Sequence, residues 1–267
     1  MLHQLVIAGA GLSVVMWILW WIQTRTKDAS SVDAAWALGI GAASLTYAVS
    51  GAGDVQRRWL IVGLISLWAL RLGLHLLLDR VLKASTEDGR YAAMRAHWGP
   101  NANAHFAWFY QAQAATALLF SWPFLVGTND PRPLGVIDAL AVAWWVITLG
   151  MVTVADRQLA HWRADPANHG RTCRGGLWRY SRHPNYFFEW LHWFAYVALA
   201  WGGPAGPWTF AIPALLLVLL LFVTGIPYVE ARALKTRGDD YRRYQQETSV
   251  FVPWRNKVMS DSRNDER

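Results

Sequence analysis

A single cysteine, Cys173, stands among 267 residues, so neither an internal disulfide nor a cysteine-rich metal site is open to this chain. Charge is scarce as well: Asp, Glu, Lys and Arg together make up 16% of the residues, against about a quarter in an average soluble domain. No Gly-x-Gly-x-x-Gly follows a strand-like run and no P-loop occurs, which excludes the two commonest soluble nucleotide-binding frameworks. Met1 to Gln4 lacks a basic segment and no small-residue cleavage site follows the first apolar stretch, so that stretch is expected to stay on the chain. Internal repeats and low-complexity linkers are absent too, which favours one domain over residues 1–267, and no metal site is expected.

What fills the space is apolar and aromatic: 54% of the residues are hydrophobic and 18 are Trp. Stretches long enough to cross about 30 Å of hydrocarbon recur at residues 4–23, 33–52, 59–79, 107–127, 134–155, 185–203 and 208–228. The expected fold is therefore all-α, a bundle of seven transmembrane helices. Of the 25 Lys and Arg, only Arg57, Arg58 and Arg132 fall in loops on one side and Arg71 inside a span; the others share the opposite side. By the positive-inside rule the amino terminus faces out and the carboxyl tail is cytoplasmic, an arrangement that needs an odd number of crossings. The net charge of +7 then sits on one membrane face, suited to anionic lipid or a phosphorylated cofactor; its division among loops argues against nucleic acid. A multi-pass membrane monomer is the expected setting, with residues 229–258 an interfacial carboxyl-terminal segment and 259–267 a disordered tail.

Polar side chains at membrane depth are costly, and here they fall on helical faces. Asn185, Glu189, His192 and Tyr196 form one stripe and Arg71, His75 and Asp79 another. Such stripes face a cavity or make interhelical hydrogen bonds, and for His192 and Tyr196 taken alone the second reading leads. Asp33 opens the second span as a helix cap or as a carboxylate at a cavity mouth, with Trp36 one turn deeper as an apolar wall. Glu87-Asp88-Gly89-Arg90-Tyr91 follows the third span; a phenol such as Tyr91 can donate a hydrogen bond to a carbonyl without carrying charge.

The densest pattern lies in residues 156–184, read as a cytoplasmic loop. Asp156, Arg163, Asn168, Arg171, Arg174, Arg179, Arg182 and His183 are interleaved there with Gly170, Gly175 and Gly176. Arginine forks clasp phosphates, glycines let backbone amides come close, and Trp178, Tyr180 and Tyr186 offer rings for stacking on a base. A purely topological Arg-rich loop is the bland alternative, but it leaves Asn185 and Glu189 entering the membrane unexplained. The basic tail around Tyr241 can close over the same corner, and Phe251-Val252-Pro253-Trp254 reads as an interface anchor.

From Gly176 to Glu189 the run Gly-Leu-Trp-Arg-Tyr-Ser-Arg-His-Pro-Asn-Tyr-Phe-Phe-Glu resembles the nucleotide-binding signature of the steroid 5α-reductase family, in particular its bacterial branch, and more distantly the sterol C14 reductases. Glu-Asp-Gly-Arg-Tyr at 87–91, with Asp33 and Trp36, is the second place of likeness; the resemblance covers most of the chain and is sharp only in these two places. It implies a seven-helix membrane bundle that holds NADPH on its cytoplasmic side. Contacts to NADPH would come from Asp156, Arg163, Asn185 and Glu189, with Arg171, Arg179, Tyr180, Arg182 and His183 as additions, and the loop and tail readings add Asn168, Trp178 and Tyr241. Asp33 and Tyr91 would grip the 3-oxo group of a steroid, a hydrophobic substrate walled by Trp36, Arg71 and His75. The tail departs from the animal enzymes, since Glu230 and Leu234 stand near positions where His and Tyr are expected.

The implied reaction is NADPH-dependent reduction of the 4,5 double bond of a 3-oxo-4-ene steroid or related polycyclic enone lipid. A membrane methyltransferase of isoprenylcysteine carboxyl type, using S-adenosylmethionine, shares the Arg-His-Pro-x-Tyr element; lacking a 2′-phosphate to neutralise, it makes less use of the loop arginines. A non-catalytic lipid-binding or transport protein is the third reading.

Overall fold

The computed structural model describes residues 1–203 and 205–255; the tail expected to be disordered, 259–267, lies outside them, as do the last residues of the 229–258 segment. Eleven α-helices and no strand occur among the described residues. The chain forms two compact units, Met1–Gly135 with Leu199–Thr209 and Val136–Ala198 with Phe210–Arg267.

The first unit is built on α1 (Leu2–Thr26), α2 (Val32–Ser50) and α3 (Val55–Leu77), followed by α4 (Gly89–Trp98), α5 (Ala102–Phe120) and α6 (Trp122–Thr128). In α1 the buried residues Gln4, Ala8, Leu12 and Met16 recur every four positions, so one narrow face packs inward. Ser13 bonds Gln111 on α5 at 2.7 Å, and the Trp20 indole donates to the Asn103 carbonyl at 2.8 Å. The shortage of bulky residues in α2 has a packing cause. A Cβ on Gly41 would lie 2.9 Å from Ala69 on α3, and one on Gly73 would lie 2.7 Å from Leu38, so the two helices approach through small residues.

Two features interrupt the expected spans. Residues 107–127 divide between α5 and α6 at Ser121, because Pro123 sits in the first turn of α6 and cannot donate to a continuing helix. After α3 a π-helical turn, Leu78–Leu82, inserts one residue and rotates the helix face. At the other end of α3, Arg57 is 1% exposed. Its guanidinium donates to the carbonyls of Arg132 (3.1 Å), Leu199 (2.9 Å) and Pro133 (3.2 Å), compensating a buried charge with backbone oxygens from a loop and from the end of a helix.

The second unit contains α7 (Val136–Ala164), α8 (Pro184–Ala200) as far as Ala198, α9 (Ala211–Val218), α10 (Ile226–Arg237) and α11 (Asp239–Glu247). At 29 residues α7 is about 44 Å long at 1.5 Å per residue and outruns a bilayer core. Residues 156–164, expected in a loop, are therefore helical, and nothing breaks the helix until Asp165-Pro166. After α9 a second π-helical turn, Leu219–Val223, leads to a bend at Gly225, where a Cβ would lie 2.7 Å from the Leu220 carbonyl.

Among the described residues, five helical stretches are long and apolar enough to cross a membrane: Leu2–Thr26, Val32–Ser50, Val55–Leu82, Val136–Ala164 and Pro207–Arg237. The other two expected spans fall on α5 with α6 and on α8. Asn103, His105, Gln111 and Gln113 make α5 more polar, and the 17 residues of α8 reach only about 26 Å.

Candidate functional sites

In the first unit Asp33 is the centre of a half-buried polar cluster. It lies in the first turn of α2, but Ser31 is the cap residue and the Asp33 side chain makes no capping bond, so the helix-cap reading gives way. Its Oδ1 accepts from the Tyr91 hydroxyl at 2.5 Å. Its Oδ2 accepts from Arg90 at 2.6 Å and also from Arg80. The shift of face at the π-helical turn brings Arg80 to Asp33, while Asp79 stays half exposed. Asp88 caps α4 through the Arg90 amide (2.9 Å) and holds the Arg90 Nε at 3.0 Å. The Asp88 amide donates to Ser30 at 2.8 Å, and Arg95 grips Glu87 at 2.8 and 3.1 Å, so α4 is tied to the turn that precedes α2.

Tyr91 is 3% exposed and packs edge-on against Phe109. Burial, together with the negative charge of Asp33, raises its pKa well above the ordinary phenol value, although Arg90 and Arg80 oppose the shift. At neutral pH it is a neutral donor. Burial pushes the Asp88 carboxyl up, but its bonds from Arg90 and the charges of Arg90 and Arg80 carry it below the ordinary value. Trp36 is half-buried against Trp68 and Phe120, and its indole donates to Thr116 at 3.1 Å. Arg71 is half-buried on α3; His75 is exposed and lies 3.5 Å from Asp79.

The cationic segment belongs to the second unit. Asn168 turns back to the Trp162 carbonyl (3.1 Å) and closes the end of α7. Gly170 and Gly176 have φ of +75° and +57°, which favours glycine at both. At Gly176 a Cβ would also displace the Gln158 amide, whose oxygen accepts from the Leu177 amide at 2.9 Å. Trp178, expected to stack on a base, is inserted against α7 with its indole on the Ala155 carbonyl at 3.0 Å, and is 8% exposed. Tyr180 remains exposed, and Tyr186 stacks on His183 with ring centroids 5.5 Å apart.

Asn185, in the first turn of α8, donates to Asp156 on α7 at 3.1 Å, so the pair expected to meet a cofactor is already joined. Glu189 lies one turn on and is half-buried. Further along that stripe Tyr196 accepts from the Trp145 indole at 2.9 Å and His192 packs edge-on against it, a structural role for both. Arg163, Arg171 and Arg179 are exposed. Arg182, His183 and Tyr241 are turned instead onto Glu230 of α10, at 2.7, 3.3 and 3.3 Å, with Gln245 on its other oxygen at 2.8 Å. Arg174 bridges Asp240 (3.1 Å) and Glu247 (3.2 Å) on α11. Gln158, Arg174 and Glu230 thus shape the segment. Gln158 has no sequence signal beyond a polar residue near Asp156, while the acidic residues of the tail were the available hint for the other two.

These features define an all-helical membrane protein with several helices of spanning character and two polar clusters. The chain belongs to the family DUF1295, described as a protein of unknown function, which residues 19–248 match. It is also similar to an uncharacterized protein of Schizosaccharomyces pombe, 26% identical over 204 residues, covering 67% of this chain and 59% of that relative. The match therefore spans less than two thirds of the relative's length.

Proposed function

We propose that this protein is an NADPH-dependent reductase of the 4,5 double bond of a 3-oxo-4-ene steroid or a related polycyclic enone lipid. In this reading it crosses a bacterial inner membrane seven times, with the amino terminus outside and the carboxyl tail cytoplasmic. Membership of a family related to steroid 5α-reductase-like membrane proteins supports the assignment. The observation that carries it is the occurrence of the exposed residues Arg163, Arg171 and Arg179 in the same stretch of sequence as the hydrogen-bonded Asp156–Asn185 pair and Glu189. That donor set fits a phosphorylated dinucleotide: arginine forks suit its phosphates, and a carboxylate with an amide suits hydroxyl or carboxamide groups. The open space about Gly170 and Gly175, where an added Cβ would meet nothing within 4 Å, leaves backbone amides approachable.

Bound NADPH supplies a hydride for the β-carbon of the enone. Arg163, Arg171 and Arg179 would hold its phosphates, while Asp156, Asn185 and Glu189 would orient it. Tyr91 polarises the substrate carbonyl and stabilises the enolate oxygen that develops, for which its hydroxyl turns from Asp33 to the substrate, and a proton drawn from water then reaches the α-carbon to complete the saturated ketone. Asp33 stays compensated by Arg80 and Arg90 when that bond is given up. Trp36, with Trp68 and Phe120, forms an apolar wall that suits a flat lipid.

The test is mass spectrometry of the small molecule that copurifies with the full-length protein in detergent, followed by NADPH oxidation with a 4-ene-3-one steroid. Bound NADP(H) and turnover lost in Asn185→Ala or Glu189→Ala are the expected results. Methyl transfer from S-adenosylmethionine, or a lipid bound with neither cofactor, overturns the reading.

A further inference from the structure

Glu230 gathers donors from two separate stretches of chain, the turn that ends at His183 and helix α11. Its Oε1 accepts from the Arg182 Nε at 2.7 Å and from the Tyr241 hydroxyl at 3.3 Å, and faces the His183 Nε2 at 3.3 Å. Its Oε2 accepts from Gln245 at 2.8 Å. The Glu230 and Arg182 side chains are 15% and 11% exposed, so solvent competes little for these bonds. Arg182 also reaches past Glu230. Its Nη1 donates to the carbonyls of Gln245 (2.9 Å) and Thr248 (2.8 Å), closing the end of α11, and its amide donates to the Ser249 carbonyl at 2.8 Å.

The surrounding ties converge on the same turn. Ser181 bonds the Phe251 carbonyl at 2.7 Å, Tyr244 donates to the carbonyls of Trp178 and Ser181, and the Trp254 amide donates to the Tyr180 carbonyl at 2.9 Å. Residues 178–183 are thus held from the carboxyl-terminal side at several polar groups, and Glu230 is a charged link that joins α10, α11 and the turn. Charge-assisted bonds are the strong ones in such a network, and removing one partner leaves the other buried and uncompensated.

We propose that Glu230 is a positioning residue: through Arg182 and His183 it fixes the turn at residues 178–183, which carries Arg179, in a single conformation before any ligand arrives. A loop ordered in advance loses less entropy when it closes on a ligand. As a consequence that rests on the nucleotide reading above, Glu230 sets the affinity for NADPH rather than the rate of hydride transfer.

The experiment is amide hydrogen exchange on the full-length protein in nanodiscs without nucleotide, comparing wild type, Glu230→Gln and Glu230→Ala, with NADPH titration of the same samples. Exchange across residues 174–183 is expected to quicken roughly 10- to 100-fold in Glu230→Ala, the factor a lost charge-assisted hydrogen bond corresponds to. Glu230→Gln, which keeps the shape and one carbonyl acceptor, falls between. The NADPH Kd is expected to rise by a similar roughly 10- to 100-fold, with kcat changed about threefold or less. In the double variant Arg182→Ala/Glu230→Ala the loss is expected to be no larger than in the worse single variant, since the two act as one unit. Unchanged exchange at 174–183 in both Glu230 variants, or additive losses in the double variant, overturns the proposal. If wild type binds no NADPH, the reductase reading falls while exchange still decides the role of Glu230.

Discussion

Tyr91→Phe separates a chemical role for the phenol from a structural one, because the substitution removes a single oxygen and leaves the ring packing intact. Tyr91 is 3% exposed and its hydroxyl donates to Asp33 at 2.5 Å. Losing a hydrogen bond to a charged acceptor costs about 1.5 to 3 kcal/mol. No cavity forms, and Asp33 keeps Arg90 at 2.6 Å as well as Arg80, so the protein should still fold. Loss of the donor to a developing enolate is a separate effect, typically about 10² to 10³ in rate. Single-turnover NADPH oxidation with a saturating enone measures that step, and NADPH titration shows whether binding is intact. The expected result is hydride transfer slowed about 10² to 10³-fold with unchanged NADPH affinity. Asp33→Asn refines the point: with its carbonyl toward the two arginines, the new amide would donate to the Tyr91 oxygen and release the phenolic proton for the substrate. It should therefore be much more active than Tyr91→Phe. A Tyr91→Phe rate within about threefold of wild type would refute the carbonyl-donor role.

Gly176→Ala drives a methyl group into the Gln158 amide at a φ of +57°; strain of about 1 to 3 kcal/mol is expected, read as lower thermal stability and faster exchange at Leu177. His183 is held below the ordinary imidazole pKa, first by burial and then by the Arg182 charge, against the opposing pull of Glu230. The unfolded chain therefore takes up this proton first as pH falls through about 6.5, so stability drops over that window until the folded pKa is passed; His183→Gln should flatten the thermal-stability profile there. Arg174→Ala removes ion pairs to Asp240 and Glu247 in which Arg174 is 36% exposed; unfolding measurements should show a loss of about 1 kcal/mol or less, since solvent screens such pairs.

The apolar spans, the all-helical class and the grouping of arginines around residues 163–182 were legible in the sequence, because hydrocarbon thickness and helical periodicity leave direct marks on composition and spacing. Helices occur where all seven spans were expected, although among the described residues five stretches are long and apolar enough to cross a membrane. Local chemistry also carried Asp33, Tyr91, Asn185 and Asp156 forward as residues of interest. What it could not supply was which partner each one meets. Whether the end of the third span turns Asp79 or Arg80 toward Asp33 depends on a π-helical turn, a one-residue register change with no composition signature.

The tertiary structure decided the rest, because hydrogen-bond partners far apart in sequence are chosen by packing and not by local pattern. Arg182, His183 and Tyr241 read as ligand contacts from their types and spacing, yet the fold turns them onto Glu230, 48 and 47 residues from the first two. Trp178 reads as a stacking ring, yet it fills a place against α7. A sequence states which groups are available at a membrane surface; only the packed chain determines which partners they meet in holding it together.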